Sequence, residues 1–343
     1  MTILTSKKRY GLPAAATISI LAMALTGCSA GSDDDSGSTG ASKIAFVIKP
    51  LDNTYFGAMA EGAQAEADKL GVDLTVVAAE TVTDDSGQAS KLNALVTSGY
   101  DCYVVNPTSQ TNLLTGLVPV SQEGTPIINL DLPIDLDAAK DAGVTVTSYV
   151  GTNNTTAGAA GGEAMLNLLE EGDQVALIGG LVADPGNIAR LAGFEDAVEG
   201  KLEITQTVAA DFDKAKAKSA ASTIILGNPD IKGFFTPSGD MAMGIQQAVD
   251  EAGLDDQIAV VGIDGTKDQL GDIIAGGQPA AIEQFPYLMG AQSIQACVAA
   301  IGGKSIPETV ETPVLIATSE NAQEALDAFP APPASFTVPN PFE

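Results

Sequence analysis

Residues 43–79 read KIAFVIKPLDNTYFGAMAEGAQAEADKLGVDLTVVAA. Ile44 to Ile48 is a β-rich apolar run, and a helical stretch follows from about Thr54 to Leu70. Gly71 stands where a left-handed C-cap is expected, and Val72 to Ala79 is strand-like again. A short apolar run, an amphipathic helix and a second short run make a βαβ unit, which implies parallel pairing.

The cycle continues outward from this stretch. Ser86–Thr97 is predicted helical, Tyr103–Val105 and Ile127–Leu130 are predicted strands with a helix between them, and Gly99 and Gly124 follow helices. After a strand-like run at Val144–Gly151 the pattern restarts, with runs at Val175–Ile178, Ile204–Ala209, Ile231–Phe235, Ile258–Ile263 and Ala280–Gln284. The expected fold class is therefore α/β, with two successive doubly wound parallel-sheet lobes. Ligands of such sheets sit beyond the carboxyl ends of the strands, and two sheets facing each other there enclose a cleft.

Composition narrows the chemistry. The 343 residues suffice for two domains, and 45% apolar against 17% charged residues describes a globular chain. A net charge of −28 disfavours nucleic acid as a partner. There is no histidine, which excludes Ser-His-Asp and Cys-His catalysis and imidazole metal sites. Paired carboxylates remain, and Asp131 with Asp264 is the pair that a carbohydrate-active enzyme would use. The acidic run Asp131, Asp135, Asp137, Asp141 lacks the central glycine and closing glutamate of a calcium loop and is expected to be a solvated loop. No cofactor and no metal are expected.

The residues just after the strands are hydrogen-bonding groups and rings, without a nucleophile–base pair. Lys49, Asp52, Asn53, Tyr55 and Phe56 follow the first strand, Asn106 the third, and Asn129 and Asp131 the fourth. Arg190 lies beyond the sixth, Phe212 (between Asp211 and Asp213) after the seventh, Ser238 and Asp240 after the eighth, Asp264 after the ninth and Gln284 at the tenth. A polyhydroxylated ligand needs this set: each hydroxyl donates and accepts, and the C–H faces of a sugar rest on aromatic rings.

The first forty residues indicate a compartment. Lys7, Lys8 and Arg9 precede a short apolar run from Leu12 to Leu25, as in an export signal. Leu25-Thr26-Gly27-Cys28 resembles the bacterial lipobox, in which the cysteine is acylated. Ser29–Ser42, without a large apolar residue, is expected to be a flexible tether. Cys102 lies in a strand-like run and Cys297 in a helical one, and two buried thiols are expected. A disulfide remains an alternative in an oxidising compartment, although spacing alone does not bring their Cα atoms together.

Several stretches, in order, carry a resemblance: Asp52-Asn53-Thr54-Tyr55-Phe56, Asn129-Leu130-Asp131, Ala210-Asp211-Phe212-Asp213, Gly239-Asp240-Met241-Ala242-Met243-Gly244 and Val260-Val261-Gly262-Ile263-Asp264-Gly265. Lys43 to about Thr318 resembles the periplasmic sugar-binding proteins of the ribose- and allose-binding group, and Ile134-Asp135-Leu136-Asp137 looks more like the allose branch. The resemblance implies the type 1 periplasmic-binding fold, two lobes joined by three crossings near Thr152-Asn153, Gln284-Phe285 and Val314-Leu315. It implies a receptor that captures a monosaccharide or polyol for the permease of an ABC importer; the export signal and lipobox place it outside the cell, held to the membrane by lipid on Cys28, and a monomer is expected. The implied ligand contacts are Lys49, Asn53, Tyr55, Phe56, Asn106, Asn129, Asp131, Arg190, Phe212, Ser238, Asp264 and Gln284. Leu132 and Ser238 depart from the group's usual polar residues, which implies a ligand other than ribose or allose. A same-fold receptor that reports to a membrane sensor is the alternative.

The implied segmentation is a signal over 1–28, a tether over 29–42, one lobe from 43–152 plus 285–313, and the other from 153–284 plus 314–330. A Pro-rich tail, 331–343, is expected as a surface strap or disordered end.

Overall fold

The computed structural model describes residues 41–336, 338 and 340–342. The export signal with Cys28, and the tether as far as residue 40, lie outside the described residues. Among the described residues no helix is long and apolar enough to cross a membrane.

The first lobe builds from β1 (Lys43–Ile48), α1 (Thr54–Leu70), β2 (Asp73–Ala78), α2 (Asp85–Val96), β3 (Cys102–Val105), α3 (Leu114–Gln122), β4 (Ile127–Leu130), α4 (Leu136–Ala142) and β5 (Ser148–Thr152). The second continues with α5 (Asn154–Leu166), β6 (Gln174–Gly179), α6 (Pro185–Val198), β7 (Glu203–Ala209), α7 (Lys214–Gly227), β8 (Ile231–Thr236), α8 (Gly239–Ala252), β9 (Ala259–Asp264), α9 (Lys267–Ala275) and β10 (Ala280–Glu283). The chain then returns through α10 (Pro286–Ile301) and β11 (Thr309–Thr312) to the first lobe, and crosses again into β12 (Leu315–Thr318) and α11 (Ala322–Ala328). The two six-stranded sheets run β11-β5-β4-β3-β1-β2 and β12-β10-β9-β8-β6-β7. All pairs are parallel except β10 with β12.

Burial on both faces explains the sequence of the strands. In β1, Ile44, Phe46 and Ile48 join the core under α1 and α10, while Ala45 and Val47 join the core under α2 to α4. Because successive side chains point to opposite faces, a strand covered on both sides is apolar throughout. The second lobe repeats this, with Ala176 and Ile178 of β6 in one core and Val175 and Leu177 in the other.

Two expectations are corrected. Val144–Thr147 precedes the strand: Gly143 ends α4 at φ +77°, and the Val144 N–H donates back to the Ala139 carbonyl. The alternating Val-Thr run therefore enters the sheet only from Ser148. Part of the acidic run is helical rather than a solvated loop, since Asp135 caps α4 by accepting from the Ala138 N–H.

Cys102 and Cys297 are not two buried thiols. They form a disulfide between β3 and α10, with Cα atoms 5.7 Å apart. The cause is topological: α10 returns over the first sheet after the whole second lobe has been made, so a sequence separation of 195 hides a short distance.

Helix pairs cross at backbone contact. A Cβ on Gly290 of α10 would lie 1.9 Å from the Met59 carbonyl oxygen of α1, and one on Gly62 would lie 1.9 Å from that of Tyr287. Replacing Gly290 by alanine should therefore separate α10 from α1 and lower the unfolding free energy by about 1–3 kcal/mol or more. Denaturant titration of Gly290→Ala checks this, with no loss of stability expected for Gly271→Ala in α9, where a Cβ meets nothing within 4 Å and alanine is the better helix former.

Candidate functional site

The carboxyl ends of the strands carry polar residues because only there does the chain leave the doubly covered sheet. At the end of β4, Asp131 turns into the left-handed region (φ +62°). Its N–H donates to the Val150 carbonyl, and its own carbonyl accepts from the Tyr149 hydroxyl at 2.7 Å. The carboxylate lies 3.5 Å from Lys49 Nζ and 3.4 Å from the Tyr55 hydroxyl. The Lys49 ammonium also sits 5.2 Å from the centre of the Phe56 ring, whose edge-on neighbour is Tyr55.

Asp264, at the end of β9, is the counterpart in the second lobe and also has positive φ (+109°). Its carboxylate accepts from the Gly239 N–H at the start of α8 and from Gln284 Nε2, each at 2.8 Å. Arg190 of α6 approaches to 3.9 Å. The guanidinium is fixed by Asn154 Oδ1, the Pro237 carbonyl and Gln284 Oε1 at 2.8, 2.8 and 3.1 Å. Gln284 Oε1 also lies 3.3 Å from the Tyr55 hydroxyl. Tyr55 and Gln284 thus join the Lys49–Asp131 pair of one lobe to the Arg190–Asp264 pair of the other. Tyr55 has one proton for three acceptors at 3.3–3.6 Å, so each of these contacts is long.

Seven of the twelve expected residues meet in this network: Lys49, Tyr55, Phe56, Asp131, Arg190, Asp264 and Gln284. The others have local duties. Asn53 and Ser238 cap α1 and α8, accepting from the N–H groups of Tyr55 and Met241. Asn129 is buried and organises the turn after β4, accepting from the Ile134 N–H and donating to the Leu132 and Val105 carbonyls. Asn106 is fully buried against Met59, with Oδ1 unpartnered. Phe212 follows Asp211, both with positive φ, and lays its ring on Gly180, where a Cβ would approach it to 2.2 Å.

A cleft of about 760 Å³ opens between the lobes, lined by the starts of α1 and α9, by Glu80–Val82, Asp240, Phe329 and Pro330. Of the expected residues it touches only Asn53. Among the described residues, no group of three or more acidic or cysteine side chains could hold a metal ion.

Tyr149, Asn154 and Met289 take part in the network but carried no sequence signal. Tyr149 lies within a strand rather than after it, while Asn154 opens α5 and Met289 lies in the first turn of α10, each just beyond a lobe crossing. Glu283, the last residue of β10, was also missed. It is buried, its Oε2 has no partner, and burial pushes its carboxyl up to about 8. Burial likewise raises Asp264 to about 6, against the pull of Arg190, the Gly239 N–H and Gln284. Burial and then the Asp131 charge hold the Tyr55 hydroxyl well above its ordinary value.

Residues 44–305 match the family described as periplasmic binding protein domain. The D-allose-binding periplasmic protein of Escherichia coli is 32% identical over 271 residues, covering 78% of this chain and 87% of that protein. The ribose import binding protein of Bacillus subtilis is 27% identical over 277 residues, covering 81% and 87%. An ABC transporter periplasmic solute binding protein from Actinobacillus succinogenes with bound D-allose superimposes with a TM-score of 0.77 at 25% identity, covering 82% of this chain and 99% of that one. The corresponding protein from Mycobacterium smegmatis, with bound glycerol, gives 0.72 at 26%, covering 84% and 97%.

Glu283 makes stability depend on pH with a definite sign. Its folded pKa is raised, so its contribution is intact below the unfolded value near 4.5 and is lost as pH rises towards about 8. Glu283→Gln should unfold like the parent near pH 4 and become progressively more stable than it up to pH 8, by a few kcal/mol. Paired melting curves across that range check the divergence, and parallel curves would contradict it.

Proposed function

Because the chain belongs to the periplasmic binding protein domain family, we propose that it captures a neutral monosaccharide or polyol between its lobes and delivers it to the permease of an ABC importer. The observation that carries this reading is the pair of ion-bridged carboxylates, Asp131 and Asp264, set at strand ends of opposite sheets and joined through Tyr55 and Gln284. Relatives named for D-allose and ribose support the ligand class. Acylation at Cys28, with residues 29–42 as a tether, would hold the receptor at the membrane outside the cell.

Each long contact of Tyr55 can be exchanged for a shorter one to a ligand hydroxyl. Such a hydroxyl donates to Asp131 or Asp264 while accepting from Lys49, Arg190 or Tyr55, and Phe56 and Phe212 offer rings for the C–H faces. Asn53, Asn106, Asn129 and Ser238 belong to the proposed contact set through whatever capacity their local bonds leave. Ligand that touches both lobes at once binds the closed arrangement more tightly, and this difference alone drives closure. Each cation already faces a carboxylate, so the site offers no spare positive charge to an acidic sugar.

A thermal-shift screen over neutral pentoses, hexoses and polyols should give at least one stabilising compound, with sugar acids and sugar phosphates inactive. For that compound, Asp264→Ala should weaken binding by about 2–5 kcal/mol in calorimetry. Unchanged affinity would remove Asp264 from the site.

A further inference from the structure

The chain does not end with its third lobe crossing. After α11 it leaves the second lobe and reaches the first again, held at three aromatic positions. Phe329 packs at the edge of the small core between α9 and α11, with Lys267 Nζ 5.0 Å above its ring. Phe329 and Pro330 also form one wall of the interlobe cleft, whose other lining includes Gly57, Ala58 and Glu61 of α1. Next, the Ser335 N–H donates to Glu324 of α11, and the Phe336 ring lies 4.9 Å from that of Phe285 at the second crossing. Finally Phe342 is buried in the first-lobe core beneath α1 and α10, and its carbonyl accepts from Lys304 Nζ at 3.3 Å.

From these anchors we propose that the C-terminal residues form a strap, fastened to both lobes and to the crossing between them, that limits how far the lobes separate. Two properties make the tie effective. Phe329 and Phe336 are seven residues apart and Phe336 and Phe342 six, so each span reaches at most about 20–25 Å. Pro330, Pro332, Pro333 and Pro341 stiffen it, because each fixes φ and removes a donor. A movement that carries α9 and α11 away from α1 and α10 must draw Phe329 away from Phe342 or pull one ring out of its seat. A ring seated out of water resists withdrawal, and a two-state conformational balance is small enough for such anchors to shift it. The strap therefore sets the resting separation of the lobes before any ligand arrives.

The test needs no ligand, so its failure is separate from failure of the capture function. Leu136 and Val182 are exposed at the rims of opposite lobes, at 66% and 74%, whereas Cys102 and Cys297 are buried in a disulfide. Spin labels placed by Leu136→Cys and Val182→Cys, in a full chain carrying Cys28→Ser, report the interlobe distance distribution. Removing residues 331–343, or combining Phe336→Ala with Phe342→Ala, should shift that distribution to longer separations and broaden it. Phe336→Ala alone leaves the first-lobe core intact and carries the same expectation should the truncated chain fail to fold. Unchanged or narrower distributions would overturn the proposal. So would amide exchange of Phe336 and Phe342 in the full chain at the rate of an unstructured peptide.

Discussion

Parallel sheets covered on both faces constrain everything else in this molecule. A side chain along β1, β3, β6 or β9 points into one packed core or the other, so polar groups are excluded until the strand ends. With eleven of the twelve described strands parallel within their sheets, those ends gather at one edge of each lobe. The site is thus concentrated by topology before any residue is chosen for its chemistry.

At those ends, two demands compete for the same residue types. Each following helix presents unpaired N–H groups that call for Asn, Asp, Ser or Thr, and a sugar calls for the same side chains. Asn53, Ser238, Asp213 and Thr266 meet the first demand. Asp131 and Asp264 escape it by adopting positive φ, at a cost of about 1–2 kcal/mol for a residue with a Cβ. That turn takes each carboxylate off the capping position of its own chain direction and aims it at a cation and at the linking residues Tyr55 and Gln284.

This competition also decides what could be read from the sequence. The strands and most helices were legible, since a run such as Ile44–Ile48 has no amphipathic alternative. The network residues Lys49, Asp131, Arg190, Asp264 and Gln284 were legible from their position after strands together with the family resemblance. A cap and a ligand contact are indistinguishable by residue type, so the capping bonds of Asn53 and Ser238 were not. Tyr149 was hidden because a strand residue gives no sign that its hydroxyl reaches a neighbouring loop. The Cys102–Cys297 bond and the seat of Phe342 were hidden for a different reason: both join α10, or the core under it, to segments made far away in the chain.

Charge balance links these features to the guest. Lys49 neutralises Asp131 and Arg190 neutralises Asp264, yet neither pair is a short ion pair, at 3.5 and 3.9 Å. A tight pair would consume its lone pairs and N–H groups internally and offer a hydroxyl little. A wider one keeps the carboxylate compensated while leaving directional capacity on both partners. The raised pKa of Asp264 reflects the same looseness: the arginine at 3.9 Å and the bonds from Gly239 and Gln284 do not offset burial. A neutral guest whose hydroxyls donate to this carboxylate supplies the missing compensation without adding charge, so it stabilises the buried ion that the protein alone leaves partly uncompensated.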